Sequence, residues 1–303
     1  SLFRIRHVYF NLDWGKSALL VGQTWHPLYG DVAPEILNLN MGAPYQPFSR
    51  APQIRYRFTS NNFMLTAAAI WQSQYLSVGP KTNKPGETST RKSQEFMKKS
   101  CVPEFYLGVD YKRPGLIAGA GLHVSSITPR TQSETEDAVY FVNERVTGIS
   151  GEAHVKYTKE NWLVSAKTVL ETNLTQTSTV GGYGITSIDE VTGKQQYSPL
   201  RTSSTWVNVA YGKKWRPALF FGYLKNLGAT KEVPYGALGT GTTLDQLFTG
   251  TAELTYNIPH WKFGAEYSLC NAWYGDEFDA KAKAINSHSI LNHRIVLVAL
   301  FQF

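Results

Sequence analysis

The chain has 303 residues, a formal net charge of +7 and 13% aromatic residues, yet its mean hydropathy is −0.27. No apolar stretch approaches the roughly 18 to 20 residues that a spanning helix needs, which excludes a helical membrane protein. The basic residues are dispersed rather than gathered in a recognisable motif, which argues against nucleic acid as a partner. Cys101 and Cys270 lack metal-ligand spacing, and the sequence leaves open whether they pair.

Polar and apolar residues alternate with a period of two along the whole chain, which predicts thirteen β-strands. The clearest alternation lies at 53–58, 104–112, 149–157 and 262–269. The other strands are expected at 2–14, 17–25, 63–75, 115–128, 161–171, 204–214, 217–226, 247–257 and 291–303. This pattern predicts an all-β protein, a transmembrane antiparallel β-barrel that forms one domain over residues 1–303.

Tight turns and long loops alternate between these strands. Long loops rich in Gly, Pro, Ser and Thr are expected near 26–50, 76–102, 129–146, 172–203, 227–246 and 271–290. Outer-membrane barrels place short turns in the periplasm and long loops outside the cell. We therefore predict a multi-pass barrel in the outer membrane of a Gram-negative bacterium, in contact with lipid and lipopolysaccharide, with its C-terminus in the periplasm.

The strand count of the complete protein follows from the side on which the chain begins. A single strand precedes the first tight turn, at Gly15 and Lys16, so Ser1 is expected on the extracellular side. Bacterial single-chain barrels have an even number of strands. We therefore expect an odd number of N-terminal strands to be missing. One missing strand gives fourteen in total, and three give sixteen.

A soluble β-propeller is the alternative, since the tight turns recur every 45 to 55 residues. Each interval, however, holds two long strands rather than the four short strands of a propeller blade. Tryptophans are expected at the short-turn ends (Trp14, Trp162, Trp215, Trp261) and at the long-loop ends (Trp25, Trp71, Trp206, Trp273). Two aromatic girdles of this kind are typical of a barrel in a bilayer.

The last predicted strand carries an apolar stripe that ends at the C-terminus. Ile295, Leu297, Ala299, Phe301 and Phe303 share one face. The stripe resembles the C-terminal recognition strand that the assembly machinery of bacterial outer membranes reads. Phe301 and Phe303 are therefore predicted to form an assembly signal.

Several stretches resemble the DcaP-like porins and related porins of the Bacteroidota. They are 4–14 (RIRHVYFNLDW), 19–25 (LLVGQTW), 44–58 (PYQPFSRAPQIRYRF) and 197–228, which contains YGKKWRPALFFGYLKNLG. The resemblance covers about a third of the chain. It implies a sixteen-stranded homotrimeric channel for small, often anionic solutes, and it favours three missing strands over one.

The charged residues of the strands are expected to face the lumen, because an Arg or Lys side chain that faces lipid at the bilayer midplane destabilises a barrel by about 2 to 4 kcal/mol. The predicted pore-lining residues are Arg55, Arg57, Lys112, Glu152, His154, Lys156, Lys167, Glu266 and Arg294. Further inward charges are expected at Glu104, Asp110, Glu171, Glu253 and Lys262. These charges either select solutes or only neutralise one another and stabilise the wall.

Two features point to a selective constriction. Arg55 and Arg57 share one inward face with Arg50 nearby, and basic ladders of this type select anions. The partly apolar loop 26–50 either lies outside or folds into the lumen as a constriction, with Asp31 and Glu35 facing the basic wall.

We therefore predict a porin for passive diffusion of small hydrophilic solutes, with a preference for anions and without a cofactor or a metal. A non-conducting structural or adhesin barrel is the first alternative. A fourteen- or sixteen-stranded barrel, however, leaves an aqueous lumen unless something plugs it. A barrel enzyme is disfavoured, because no histidine lies in a nucleophile motif and no helix pattern follows the glycines at 181–184.

Overall fold

The computed structural model describes residues 5–38 and 40–303. The start of the strand predicted at 2–14, the predicted side of Ser1, and Leu39 of loop 26–50 lie outside this part of the chain. No helix among the described residues is long and apolar enough to span a membrane.

The described residues are mostly in β-strands. The first half of the chain forms β1 Val8–Asp13, β2 Ser17–Trp25, β3 Arg50–Ser60, β4 Phe63–Ile70, β5 Val78–Pro80, β6 Thr90–Lys92, α1 Glu95–Ser100, β7 Glu104–Arg113, β8 Leu116–Ile127, β9 Gln132–Glu134, β10 Val139–Phe141 and β11 Val146–Lys159. The second half forms β12 Trp162–Thr172, a 3₁₀ turn Thr175–Thr177, β13 Gly181–Ile188, β14 Gln195–Tyr211, β15 Trp215–Ala229, β16 Ala237–Thr240, β17 Leu244–Ile258, β18 Trp261–Phe278 and β19 Ala284–Phe301.

One antiparallel sheet runs through the molecule in chain order. Its path is β1-β2-β3-β4-β7-β8-β11-β12-β14-β15-β17-β18-β19, and these thirteen strands are the thirteen predicted from the sequence. The pairings of the described residues run from β1 at one edge to β19 at the other. Half of these pairings join two strands linked by a tight turn, which pair with little loss of chain entropy.

The two faces of the sheet differ along each strand as a period of two requires. In β3, Ile54 and Tyr56 are exposed on one face, whereas Gln53 and Arg55 are buried on the other. The face with exposed apolar side chains is called the outer face below, and the other is called the inner face. Trp14, Trp162, Trp215 and Trp261 are exposed at the short-turn ends, as predicted.

Two expectations about the long-loop side are wrong. Trp206 is fully buried rather than placed in a girdle, because it shares the inner face of β14 with Ser204 and Asn208. β14 also begins at Gln195, well before the predicted start of the strand at 204. The loop predicted at 271–290 is mostly strand, because β18 extends to Phe278 and β19 begins at Ala284. The residues of these extensions are largely polar on both faces, so the hydrophobic alternation that signals a strand is missing there.

The other long connections also carry ordered structure. The region 76–102 contains the β5–β6 ribbon and α1, and β13 pairs with both β14 and β16. A fully buried ion pair between Arg130 and Glu144 stabilises the neighbouring connection. Cys101 is exposed and Cys270 is half-buried, and both are free thiols.

Candidate pore lumen

The described residues of segment 26–49, called the lumen loop below, lie over the inner face of the sheet. It leaves β2 and returns to β3, and its middle reaches distant strands. The Glu35 amide donates to the Asn208 side chain of β14 (2.9 Å), and the Tyr45 hydroxyl lies 2.8 Å from the Thr249 hydroxyl of β17. Of the two placements that the sequence leaves open for this loop, the structure has the inward one.

One side of the lumen loop contacts strands β7, β11 and β15, called the pairing wall, through ion pairs. Asp31 lies 2.5 Å from Lys112, and Glu35 lies 3.1 Å from Lys156 and 2.6 Å from Arg216. Burial opposes ionisation of both acids, but the hydrogen bonds and charges of these bases outweigh it and lower the pKa of Asp31 and of Glu35. Both acids are therefore ionised and paired at neutral pH.

The other side of the lumen loop contacts β17, β18 and β19, called the cavity wall. Here the wall supplies the acids: the Leu37 amide donates to Glu253 (2.9 Å) and to Glu266 (2.8 Å), and the Asn38 amide also donates to Glu266 (3.1 Å). A cavity of about 280 Å³ remains between loop and wall, lined in part by Cys270 and Arg294. Arg294 lies 3.8 Å from Glu266.

Apolar contacts between loop and wall depend on a tryptophan and two glycines. Trp206 donates its indole N–H to the Gln46 side chain (2.8 Å) and packs in a buried cluster with Val32 and Tyr45. A β-carbon added at Gly222 would lie 2.5 Å from the Tyr45 ring, and one at Gly264 would lie 2.6 Å from Leu37. The loop therefore packs directly against bare backbone of the inner face.

Arg55 and Arg57 lie on the inner face of β3, as predicted. Arg55 is 7% exposed and donates to the Gln53 side chain (2.9 Å) and to the Trp25 carbonyl. The Nε of Arg57 has no hydrogen-bond partner. Among the described residues, the arginines that form ion pairs are others. Asp31, which is paired with Lys112, is an acid whose charge acts on both Arg55 and Arg57.

The remaining predicted pore-lining residues belong to a compact network. His154 lies 2.9 Å from Glu152 and 2.8 Å from Asp110, so it bridges two carboxylates. The Tyr106 hydroxyl donates to Glu152 (2.9 Å). Lys167 donates to the Leu28 and Tyr29 carbonyls of the lumen loop at 2.8 and 3.1 Å. These charges therefore pair with one another, and Lys167 connects the wall to the loop.

One cluster was missed at the sequence level. His26, Glu104 and His123 meet beneath the start of the lumen loop, and all three side chains are buried. Glu104 was predicted to face inwards, but the histidines lie 78 and 19 residues from it in the chain. Pairing of β7 with β8 brings Glu104 and His123 together, and His26 joins them from the start of the lumen loop. No spacing rule signals such a cluster.

The similarity of this chain to known proteins lies in its fold. No protein-family model matches the sequence, and no curated protein matches it. The outer membrane channel DcaP of Acinetobacter baumannii is similar with a TM-score of 0.63 at 14% identity, over 99% of this chain and 75% of DcaP.

Two further solved structures are similar at lower scores. OmpF of Salmonella typhi, in complex with daunomycin, gives a TM-score of 0.55 at 16% identity, over 97% of this chain and 77% of OmpF. An anion-selective porin from Comamonas acidovorans gives 0.52 at 10% identity, over 97% of this chain and 76% of that porin. At these identities the likeness is one of fold. The chain therefore has the antiparallel β-barrel fold of outer-membrane porins.

Proposed function

We propose that the protein is an outer-membrane porin for passive diffusion of small hydrophilic solutes, with a preference for anions. The observation that carries this proposal is the unequal pairing of charges on the inner face. Asp31, Glu35 and Glu152 have basic partners, and Glu253 and Glu266 accept backbone amides of the lumen loop. Arg55 and Arg57 lack such partners, so a net positive field remains beside β3.

For the selection of anions, the pairing of individual charges matters more than the formal net charge of the chain. Charges outside the barrel are screened within about 8 Å at physiological salt, so exposed lysines steer anions to the mouth but do not select within it. A local cluster without acidic partners acts on a solute at close range, where a narrow lumen excludes much of the screening solvent.

The experiment is single-channel recording of the complete protein in a planar bilayer under a salt gradient. Wild-type protein should conduct with a reversal potential that indicates anion preference. Replacing both inner arginines (Arg55→Ser with Arg57→Ser) should shift that potential toward cations while conductance persists. The matched control replaces Lys98 and Lys99 of α1 by Ser, which removes the same charge outside the sheet and should shift it little.

Each outcome bears on a different part of the proposal. An unchanged reversal potential in the double variant would assign the arginines to wall stability alone. A wild-type protein that inserts but never conducts would refute the channel and support the non-conducting barrel.

We also propose a homotrimer that reaches the outer membrane through the bacterial assembly machinery. A shallow apolar depression on the outer face, lined by small residues such as Ala120, Gly151 and Ala153, would allow close approach of a second copy. A monomer in native mass spectrometry of gently extracted protein would contradict the trimer. Phe301 and the exposed Phe303 continue the outer apolar stripe, so deleting Phe303 should reduce the amount of heat-modifiable protein in membranes.

A further inference from the structure

The cluster of His26, Glu104 and His123 has the composition of a metal site. One ligand atom from each side chain lies within 4.8 Å of the other two. The two imidazole Nε2 atoms approach the same carboxylate oxygen, at 3.4 Å for His26 and 2.8 Å for His123. A tetrahedral zinc ion bound at about 2.0 to 2.1 Å holds its ligand atoms about 3.3 Å apart. The observed separations lie on both sides of that value.

The surroundings of Glu104 are those of an oriented ligand. Its second oxygen accepts a hydrogen bond from the Gln72 side chain at 2.7 Å, and outer partners of this kind fix metal-binding carboxylates. Ser77 lies 2.7 Å from the same Gln72 and continues the support. The carboxylate therefore cannot turn away from the two imidazoles without breaking a buried network.

The hydrogen bonds of the two histidines leave the cluster incompletely satisfied. The His123 side chain is fully buried, and its Nδ1 has no partner. Because no group forms a hydrogen bond with Nδ1, nothing opposes the tautomer that carries its proton there and leaves Nε2 available to an ion.

We propose that His26, Glu104 and His123 bind a divalent first-row transition-metal ion, for which zinc is the best match. Two imidazoles and one carboxylate are the ligand types that zinc accepts, and three protein ligands leave a fourth position for water. The site shares no ligand with the basic face of β3, and its test does not depend on channel activity.

Metal binding is coupled to the lumen loop through His26. The Leu28 amide donates to His26 Nδ1 at 3.2 Å, so the neutral ring carries its proton on Nε2. An ion on Nε2 moves that proton to Nδ1, where it faces the Leu28 N–H. The first residues of the lumen loop must therefore shift when the ion binds.

Arg55 provides a test that a purely structural cluster would not pass. Arg55 donates to the carbonyl of Trp25, which directly precedes His26, so its positive charge lies beside the site. The same charge opposes a bound cation. Replacing Arg55 by Ser should therefore tighten metal binding severalfold.

The experiment uses the complete protein without a histidine tag, in a background where Cys101 and Cys270 are replaced by Ser, since free thiols also bind soft metals. After chelation, Co²⁺ is titrated and followed by its visible absorption, and Zn²⁺ is then added as competitor. We expect one tetrahedral Co²⁺ per chain, displaced by Zn²⁺. The Gln72→Leu variant should bind about 10 to 100 times more weakly.

The matched variants are His123→Ala and His154→Ala. Both residues are buried inner-face histidines hydrogen-bonded to carboxylates, but only His123 belongs to the site. His123→Ala should lose the absorption, and His154→Ala should keep it, with heat-modifiability as the check of folding. Wild-type protein that binds no Co²⁺ would overturn the assignment whatever the variants do, and so would equal binding by folded His123→Ala protein.

Discussion

The two sides of the lumen loop are held by opposite chemistry. Toward the pairing wall the loop supplies the acids, Asp31 and Glu35, and the strands supply the bases. Toward the cavity wall the strands supply the acids, Glu253 and Glu266, and the loop supplies backbone amides. The first side is closed by side-chain pairs, whereas the second leaves a cavity of about 280 Å³.

This difference has a consequence for the field inside the sheet. Each of these four acids takes part in a contact between the lumen loop and a wall, whichever side of the loop it lies on. These contacts hold the four carboxylates against the loop and limit their approach to a passing solute. Arginines without ion pairs therefore act more strongly on that solute, although acids and bases are nearly balanced by count. A predominantly acidic or basic lumen can therefore arise from which charges are paired rather than from how many there are.

The largest expected effect is a loss of stability when the contact between Trp206 and the lumen loop is removed. Trp206→Ala removes a fully buried indole and leaves the Gln46 side chain without its donor. Such truncations cost about 3 to 5 kcal/mol in cores. The free energy of unfolding in vesicles should fall by that amount. Trp162→Ala, in a side chain 50% exposed on the outer face, is the control and should lose clearly less. Equal losses would mean that the loop is not packed against the wall.

A smaller effect is expected at the glycine beneath Tyr45. Gly222→Ala places a methyl group 2.5 Å from that ring, and overpacking of this kind costs about 1 to 3 kcal/mol. Tyr45 lines the cavity, so its displacement should speed labelling of Cys270 by a charged thiol reagent in a Cys101→Ser background. Gly250→Ala is the matched control in the next strand, because its new methyl group meets only ordinary contacts at 3.6 Å. Equal labelling rates would place the loop away from the cavity wall.

The fold could be predicted from the sequence because it depends on local signals. Alternation in segments such as 53–58 fixes both strand and face, and tight turns such as Gly15 with Lys16 fix which strands pair. The extensions of β14 and β18 beyond the predicted ends were missed, because strands paired away from lipid need no apolar face.

The lumen was predictable only in part. The inward positions of Arg55 and Lys167 follow from the period of two, but their partners do not. Whether a charge is paired depends on where the lumen loop lies, and contacts such as Glu35 with Arg216 span 181 residues of sequence. The partly apolar character of 26–50 left both placements open, since an external loop that packs on its neighbours has similar composition.

The smallest expected effect is a response to acid that differs between the two sides of the lumen loop. The pKa of Asp31 and of Glu35 is lowered from ordinary values of 3.8 and 4.5, so their ion pairs contribute stability that is complete above those values. That contribution is lost as the pH falls through the lower folded values. Each pair is partly exposed and contributes only about 0.2 to 1 kcal/mol, so the loop should loosen from the pairing wall rather than unfold.

Conductance should therefore be constant from pH 7 to about 5 and rise below about 4, as the loop leaves the pairing wall. The variant with Asp31→Asn and Glu35→Gln carries no ionisable group at these positions. It should conduct at pH 7 as wild-type protein does in acid, and it should show a smaller step on acidification. Glu253 and Glu266 remain in this variant, so any acid step that persists unchanged must come from the cavity wall. Such a result would reverse the comparison and make the amide-binding carboxylates the acid-sensitive side of the loop.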